Sequence, residues 1–109
     1  MTSEPAKRKV LGLVGLGLRG RLAVVGVQQV RDAAKRGKLK IALVASDASQ
    51  NSLDKVESLL TARKVRIVRD FSGHELGEIA GRELVAAIGV SDAGLADGIA
   101  DAISAASRR

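Results

Sequence analysis

Leu39-Lys-Ile-Ala-Leu-Val-Ala-Ser-Asp47 is the stretch around which the rest of the chain is organised. After Lys40 the stretch is apolar through Ala45, with no polar residue at alternate positions. A strand that is apolar on both faces is typical of the middle of a sheet covered by helices. We therefore predict a central strand here, and a binding site framed by its edges and by the helix before it.

Segments of strand and helix type alternate on both sides of this strand. The other predicted strands are 22–25, 65–68 and 84–90, and the predicted helices are 11–19, 26–36, 51–64 (capped by Asn51 or Ser52), 75–81 and one that Ser91 caps. This alternation predicts an α/β layered sandwich with one sheet of about four strands between helices. A chain of 109 residues is long enough for one such domain. We place that domain at residues 10–107, after a disordered basic tail at residues 1–9.

The composition argues against most catalytic and metal chemistry. The chain has no Cys, one His (His74) and one aromatic residue, Phe71. Disulfides, Cys-based metal sites and His pairs are therefore excluded, and we expect no enzyme activity, no metal and no cofactor. A single aromatic residue also nearly excludes RNA readers that stack bases on aromatic side chains.

Positive charge is concentrated in the first part of the chain. Residues 1–40 contain ten Lys or Arg and two acids, giving +8, whereas residues 41–109 contain eight basic and ten acidic residues, giving −2. This asymmetry favours a polyanion partner that approaches from one side. The alternative is a solubilising surface with a cationic tail.

The apolar run Val10–Leu18 follows three basic residues and so imitates a signal peptide. Arg19 and Arg21 follow at once, no small-residue cleavage site is visible, and nine residues are too few to span a bilayer. We expect a cytoplasmic, monomeric protein that does not bind membranes.

Gly15-Leu-Gly-Leu-Arg-Gly20 matches the G-x-G-x-x-G pattern of dinucleotide-binding folds. The acid that such a fold requires would be Asp47, which lies farther along the chain than the pattern favours, and we expect Asp47 instead to cap the turn at Ser49. A nucleotide-binding domain remains the alternative. We predict a helix at 11–19, packed through Leu11, Val14 and Leu18.

The helix predicted at 26–36 has the features of an RNA-binding element. Val27, Val30 and Ala34 form its buried face, and Gly26 opens it. The first backbone N–H groups and the positive dipole end can bind a phosphate or a base edge. Gln28 and Gln29 can supply base-edge hydrogen bonds. Positive charge nearby comes from Lys35, Arg36, Lys38 and Lys40.

Four stretches, taken in order, resemble the kink-turn-binding ribosomal protein family, which includes small bacterial members. They are 26–32 with Lys35-Arg36-Gly37, then 41–49, 76–81 and 84–88, and the resemblance spans roughly residues 11–105. It implies a three-layer α/β/α sandwich with a mixed sheet, and a non-enzymatic RNA-binding protein whose partner is a ribosomal or kink-turn-like RNA, or the ribosome itself. The RNA contacts would come from the glycine-opened helix and from the loop before the last strand.

The family usually shows Gly-x-Asn-Glu-x-x-Lys in this helix. Here Gly26 matches, Gln28 stands for Asn, Gln29 for Glu and Asp32 for Lys. A carboxylate repels phosphate where a lysine attracts it, and Arg31 lies about 100° around the helix from position 32. The candidate RNA-binding residues, which include an apolar wedge at positions 84 and 85, are Gly26, Gln28, Gln29, Arg31, Asp32, Lys35, Arg36, Leu84 and Val85. A ribosome-associated protein without kink-turn specificity is a further alternative.

Overall fold

The computed structural model describes residues 4–107, with the side chains of residues 4–105. Five helices and four strands alternate along this part of the chain: α1 Glu4–Arg19, β1 Ala23–Val25, α2 Val27–Lys35, β2 Ile41–Val44, α3 Gln50–Ala62, β3 Arg66–Val68, α4 Gly73–Ala80, β4 Ala87–Val90 and α5 Ala93–Ser107. None of the helices within residues 4–107 is long and apolar enough to cross a bilayer.

The four strands form one sheet in the order β1-β4-β2-β3. β2 and β3 run parallel, whereas β4 is antiparallel to both β1 and β2, so the sheet is mixed. All four residues of β2 are buried, which confirms the central strand predicted from its apolar sequence.

Helices cover both faces of the sheet, which gives three layers. Ile41 and Leu43 of β2 pack into a core with α1, α4 and α5. Ala42 and Val44 point to the other face and pack with α2 and α3. Because successive strand residues face opposite sides, an apolar β2 supplies both cores at once. The predicted α/β/α sandwich is confirmed.

The segment predicted as a disordered tail is helical from Glu4 onward, so that prediction is wrong for residues 4–9. Residues 1–3 lie outside the described part. Lys7 explains the difference, because its Nζ lies 3.1 Å from Oε2 of Glu75 and 5.4 Å from the centre of the Phe71 ring. These contacts with residues distant in the sequence extend α1 by two turns, and local sequence does not reveal them.

The glycine-rich motif lies in the last turns of α1 and not between a strand and a helix. Gly15 and Gly17 are buried. A Cβ at Gly17 would lie 3.2 Å from Cδ1 of Leu95 and 3.3 Å from Cβ of Ala23. These distances indicate that Gly17 allows α1 to approach α5 and β1 closely. The motif therefore lacks the strand–turn–helix context of a dinucleotide site, and that interpretation of it is wrong.

Besides α1, two helices begin earlier than predicted. α3 starts at Gln50, because the Ser49 hydroxyl accepts the Ser52 backbone N–H and so forms the N-cap. α4 starts at Gly73, where Ser72 and Glu75 form a reciprocal capping box.

The last strand and last helix also differ from prediction. β4 begins at Ala87, so positions 84–86 belong to the preceding loop. The Leu95 backbone N–H donates to Oδ2 of Asp92 over 2.8 Å, which makes Asp92 the cap of α5. Ser91, the predicted cap, instead donates its hydroxyl to the Leu22 carbonyl.

Candidate RNA interface

The start of α2 is fixed to the start of β4. Gly26 precedes the helix with φ of 102°, a backbone conformation that side chains disfavour. Its N–H donates to the Ala87 carbonyl over 2.8 Å, and its own carbonyl accepts the Val30 N–H. The two elements that the family resemblance assigns to RNA, the glycine-opened helix and the loop before the last strand, therefore adjoin each other.

The loop 81–86 is held in place by α4. The Val85 N–H donates to the Gly73 carbonyl over 3.0 Å, and the Arg82 N–H donates to the Gly77 carbonyl over 2.9 Å. A Cβ at Gly77 would lie only 2.6 Å from the Arg82 carbonyl oxygen, so only glycine permits this approach. The loop leaves Leu84 69% exposed and Val85 4% exposed. Only Leu84 of the predicted wedge is thus available to a partner.

Asp47 links the end of β2 to the start of α4. Its Oδ1 accepts the Gly73 N–H over 2.8 Å, and Gly73 in turn accepts the Val85 N–H. Asp47 was expected to cap the turn at Ser49, but the hydrogen bond that its side chain makes is to the start of α4, and the Ser49 hydroxyl caps α3. Asp47 acts as a brace for the loop that carries Leu84.

A mainly apolar recess lies between this loop and the start of α3, with a volume of about 280 Å³. It is lined by Ala45, Asp47, Ala48, Ser49, Ser52, Gly73, Leu84, Val85 and Ala86. Leu84 forms its exposed rim, whereas Val85 belongs to the core.

A polar recess of about 330 Å³ lies between α2 and α3. It is lined by Val27, Gln28, Arg31, Asn51, Ser52 and Lys55. Ser52 lines both this recess and the apolar one, so the two adjoin. Gln28 and Arg31 thus line a recess next to the one that Leu84 lines.

A third recess, also about 330 Å³, lies beside β1, and three of the candidate residues line it: Gln29, Asp32 and Arg36. Arg21 and Lys38 line it too. These candidates face a different side of α2 from Arg31, as the 100° step per residue requires. Lys35 is exposed in the last turn of α2 and lines none of these three recesses.

Several residues of these recesses were not among the candidates. Asn51, Ser52 and Lys55 come from α3, and Arg21 precedes β1. In the sequence, Ser49 could have indicated the α3 residues. A helix cap at Ser49 places Ser52 and Lys55 in the first two turns of the helix. Their proximity to α2 depends on both helices packing on one face of the sheet.

Glu75, which lines none of these three recesses, has a lowered pKa. The backbone N–H of Ser72 that donates to this carboxylate lowers its pKa, and Lys7 lowers it further, against the opposing effect of burial. Within residues 4–107, no group of three or more acidic or His side chains could hold a metal ion.

The chain is similar to a known family and to a known RNA-binding protein. The sequence model of the ribosomal protein L7Ae/L30e/S12e/Gadd45 family matches residues 8–99. An RNA-binding protein YlxQ of Enterococcus faecium is 29% identical over 80 residues, which is 73% of this chain and 78% of that protein.

Solved structures with the same fold include two that cover nearly all of the chain. One is a protein of unknown function from Bacillus halodurans, with a TM-score of 0.81 and 28% identity. The match covers 88% of this chain and 97% of that protein. The Giardia lamblia 15.5kD RNA binding protein has a TM-score of 0.79 over 99% of this chain and 92% of its own. At 17% identity this second likeness concerns the fold alone.

Proposed function

The chain belongs to the ribosomal protein L7Ae/L30e/S12e/Gadd45 family, and from this premise we propose that it is a non-enzymatic RNA-binding protein that recognises a structured, kink-turn-like RNA. The related YlxQ is named as an RNA-binding protein, which supports RNA as the partner. We propose further that the protein acts as a cytoplasmic monomer, on ribosomal RNA or on an RNA of similar structure.

One observation carries the proposal for the site: the hydrogen bond from the Gly26 N–H to the Ala87 carbonyl. It holds the start of α2 next to the loop that exposes Leu84. A structured RNA can then meet, on one surface, helix N–H groups, amide side chains and an apolar contact. Gln28 and Gln29 are exposed and are the proposed base-edge contacts.

Asp32 favours a second candidate function, which is ribosome association without kink-turn specificity. Its carboxylate lies on α2 and accepts a hydrogen bond from Gln28, one of the proposed base contacts. Repulsion of phosphate at this position would leave binding to depend on the surrounding cations alone.

A gel-shift comparison of a kink-turn RNA with an unstructured RNA of equal length tests the proposal. We expect tighter binding to the kink-turn, and a loss of about 1 kcal/mol or more for Gln29→Ala on the kink-turn only. Equal binding of both RNAs, with no effect of Gln29→Ala, would instead support charge-driven association. Absence of any RNA binding would exclude both candidates.

A further inference from the structure

The polar recess between α2 and α3 has the composition of a phosphate-binding surface. Two of its lining residues, Arg31 and Lys55, are cations, and none is acidic. Neutral hydrogen-bonding groups come from Gln28, Asn51 and Ser52. A concave surface that combines charged and neutral donors matches the oxygens of a phosphate group.

Arg31 has a donor that the protein leaves unsatisfied. Its Nε is buried and has no hydrogen-bond partner within the described part of the chain. A buried donor without an acceptor disfavours that side-chain conformation. A rotation of the side chain that brings the guanidinium to an acceptor in the recess is therefore favourable. Nε and one terminal nitrogen can then bind two phosphate oxygens together.

The position of Arg31 on α2 also separates it from the acid beside it. Asp32 lines the recess beside β1, whereas Arg31 lines the recess toward α3. Asp32 is therefore not a lining residue of the recess toward α3, although its carboxylate reaches the edge of that recess through the hydrogen bond from Gln28.

We infer that the recess between α2 and α3 binds a phosphate group through Arg31 and Lys55. The phosphate comes from the backbone of the bound RNA, and this assignment of its source rests on the proposed RNA-binding function. Ser52 joins the recess to the apolar one, so an RNA strand in contact with Leu84 continues directly over Arg31 and Lys55.

Salt titrations of RNA binding test the inference. Each cation that no longer neutralises a phosphate makes the slope of log affinity against log salt shallower by about one unit. We expect this change for Lys55→Gln and for Arg31→Gln, with a several-fold weaker affinity at low salt. Arg63→Gln is the matched control, because Arg63 is exposed at the other end of α3 and its replacement changes net charge equally. Lys55 is exposed, so its variant gives a result even if Arg31→Gln weakens the fold.

The ¹H–¹⁵N resonance of Arg31 Nε reports the interaction directly. We expect it to shift on addition of RNA and, at much higher concentration, of inorganic phosphate, with both shifts reduced in Lys55→Gln. If RNA binds but the Nε resonance and both slopes are unchanged, the inference is wrong while the proposed function stands. If no RNA binds, the proposed function fails. In that case a saturable shift with inorganic phosphate retains the recess as a site for free phosphate, and no shift rejects it.

Discussion

Gln28 donates a hydrogen bond from its Nε2 to Oδ1 of Asp32 over 2.9 Å, across one turn of α2. The two side chains therefore share a face of the helix, as their separation of four residues predicts. The amide proposed to contact a base is held by a carboxylate. This pairing places negative charge on the helix surface where the family pattern has a lysine.

Replacement of Asp32 by Lys is expected to tighten RNA binding. The change removes a repulsion and adds an attraction, each worth about 1 kcal/mol or less at a partly exposed site, so the gain is several-fold. Gel-shift affinities for kink-turn and unstructured RNAs measure it. Asp101→Lys is the control, because Asp101 is exposed on α5, on the opposite face of the sheet. An equal gain for Asp101→Lys would show that only net charge matters.

Substitutions at Leu84 and at Val85 are expected to have different effects, the first on RNA binding and the second on stability. Leu84→Ser should weaken RNA binding and change the free energy of unfolding by less than about 0.5 kcal/mol, because the side chain is 69% exposed. Val85→Ala should lower the free energy of unfolding by roughly 1.5–3 kcal/mol, because the side chain is 4% exposed. Urea unfolding and gel shifts on the same variants measure both. If Leu84→Ser binds RNA with full affinity, Leu84 does not act as an apolar wedge against the RNA.

Gly77→Ala is expected to displace the loop that carries Leu84. Its methyl group would lie 2.6 Å from the Arg82 carbonyl oxygen, and backbone must move to relieve the clash. We expect a decrease in stability of roughly 1–3 kcal/mol, together with weaker RNA binding. Gly12→Ala is the control, because nothing lies within 4 Å of the added methyl in α1, and it should stabilise the protein by about 0.5–1 kcal/mol.

The sequence predicted the fold well because its apolar segments are distinct. The continuous apolar run at Ile41–Val44 identified the central strand, and Gly26 together with Val30 and Ala34 identified α2 and its buried face. These features depend on residues near each other in the chain. Local periodicity is sufficient for them.

The parts that sequence missed depend on contacts between distant residues. The start of α1 is stabilised through Lys7 and Glu75, which are 68 residues apart. Likewise, the brace between Asp47 and Gly73 and the recess that Arg31 and Lys55 share follow from how helices pack on the sheet. Periodicity within one segment carries no information about such pairs.

Stability is expected to fall in acid through Glu75. Its pKa is lowered in the folded state, first by the Ser72 N–H and then by Lys7, so the ionised form stabilises the fold. That contribution is fully present above the ordinary pKa of about 4.5 and is lost as pH falls below it. Thermal melts from pH 6 to pH 3 should show a shallower decline for Glu75→Gln than for the native chain. Glu83→Gln, at an exposed loop position, should keep the native decline.

Asp47 offers a test of how the loop 81–86 is braced. Asp47→Ala removes the acceptor of the Gly73 N–H, a group in a buried residue, and an unsatisfied donor of this kind costs roughly 1–3 kcal/mol. Asp47→Asn keeps an oxygen at the same position, so we expect it to lose much less stability. Hydrogen exchange at the Gly73 amide should accelerate in the alanine variant and remain slow in the asparagine variant.

The same pair of variants connects the brace to RNA binding. Because the Gly73 carbonyl also accepts the Val85 N–H, removal of the Asp47 hydrogen bond loosens the segment that positions Leu84. RNA affinity should therefore fall in Asp47→Ala as Gly73 exchange rises, and Asp47→Asn should bind nearly as the native chain does. If both variants bind RNA equally well while only the alanine variant exchanges quickly, then the brace stabilises the fold and RNA binding does not require a fixed loop.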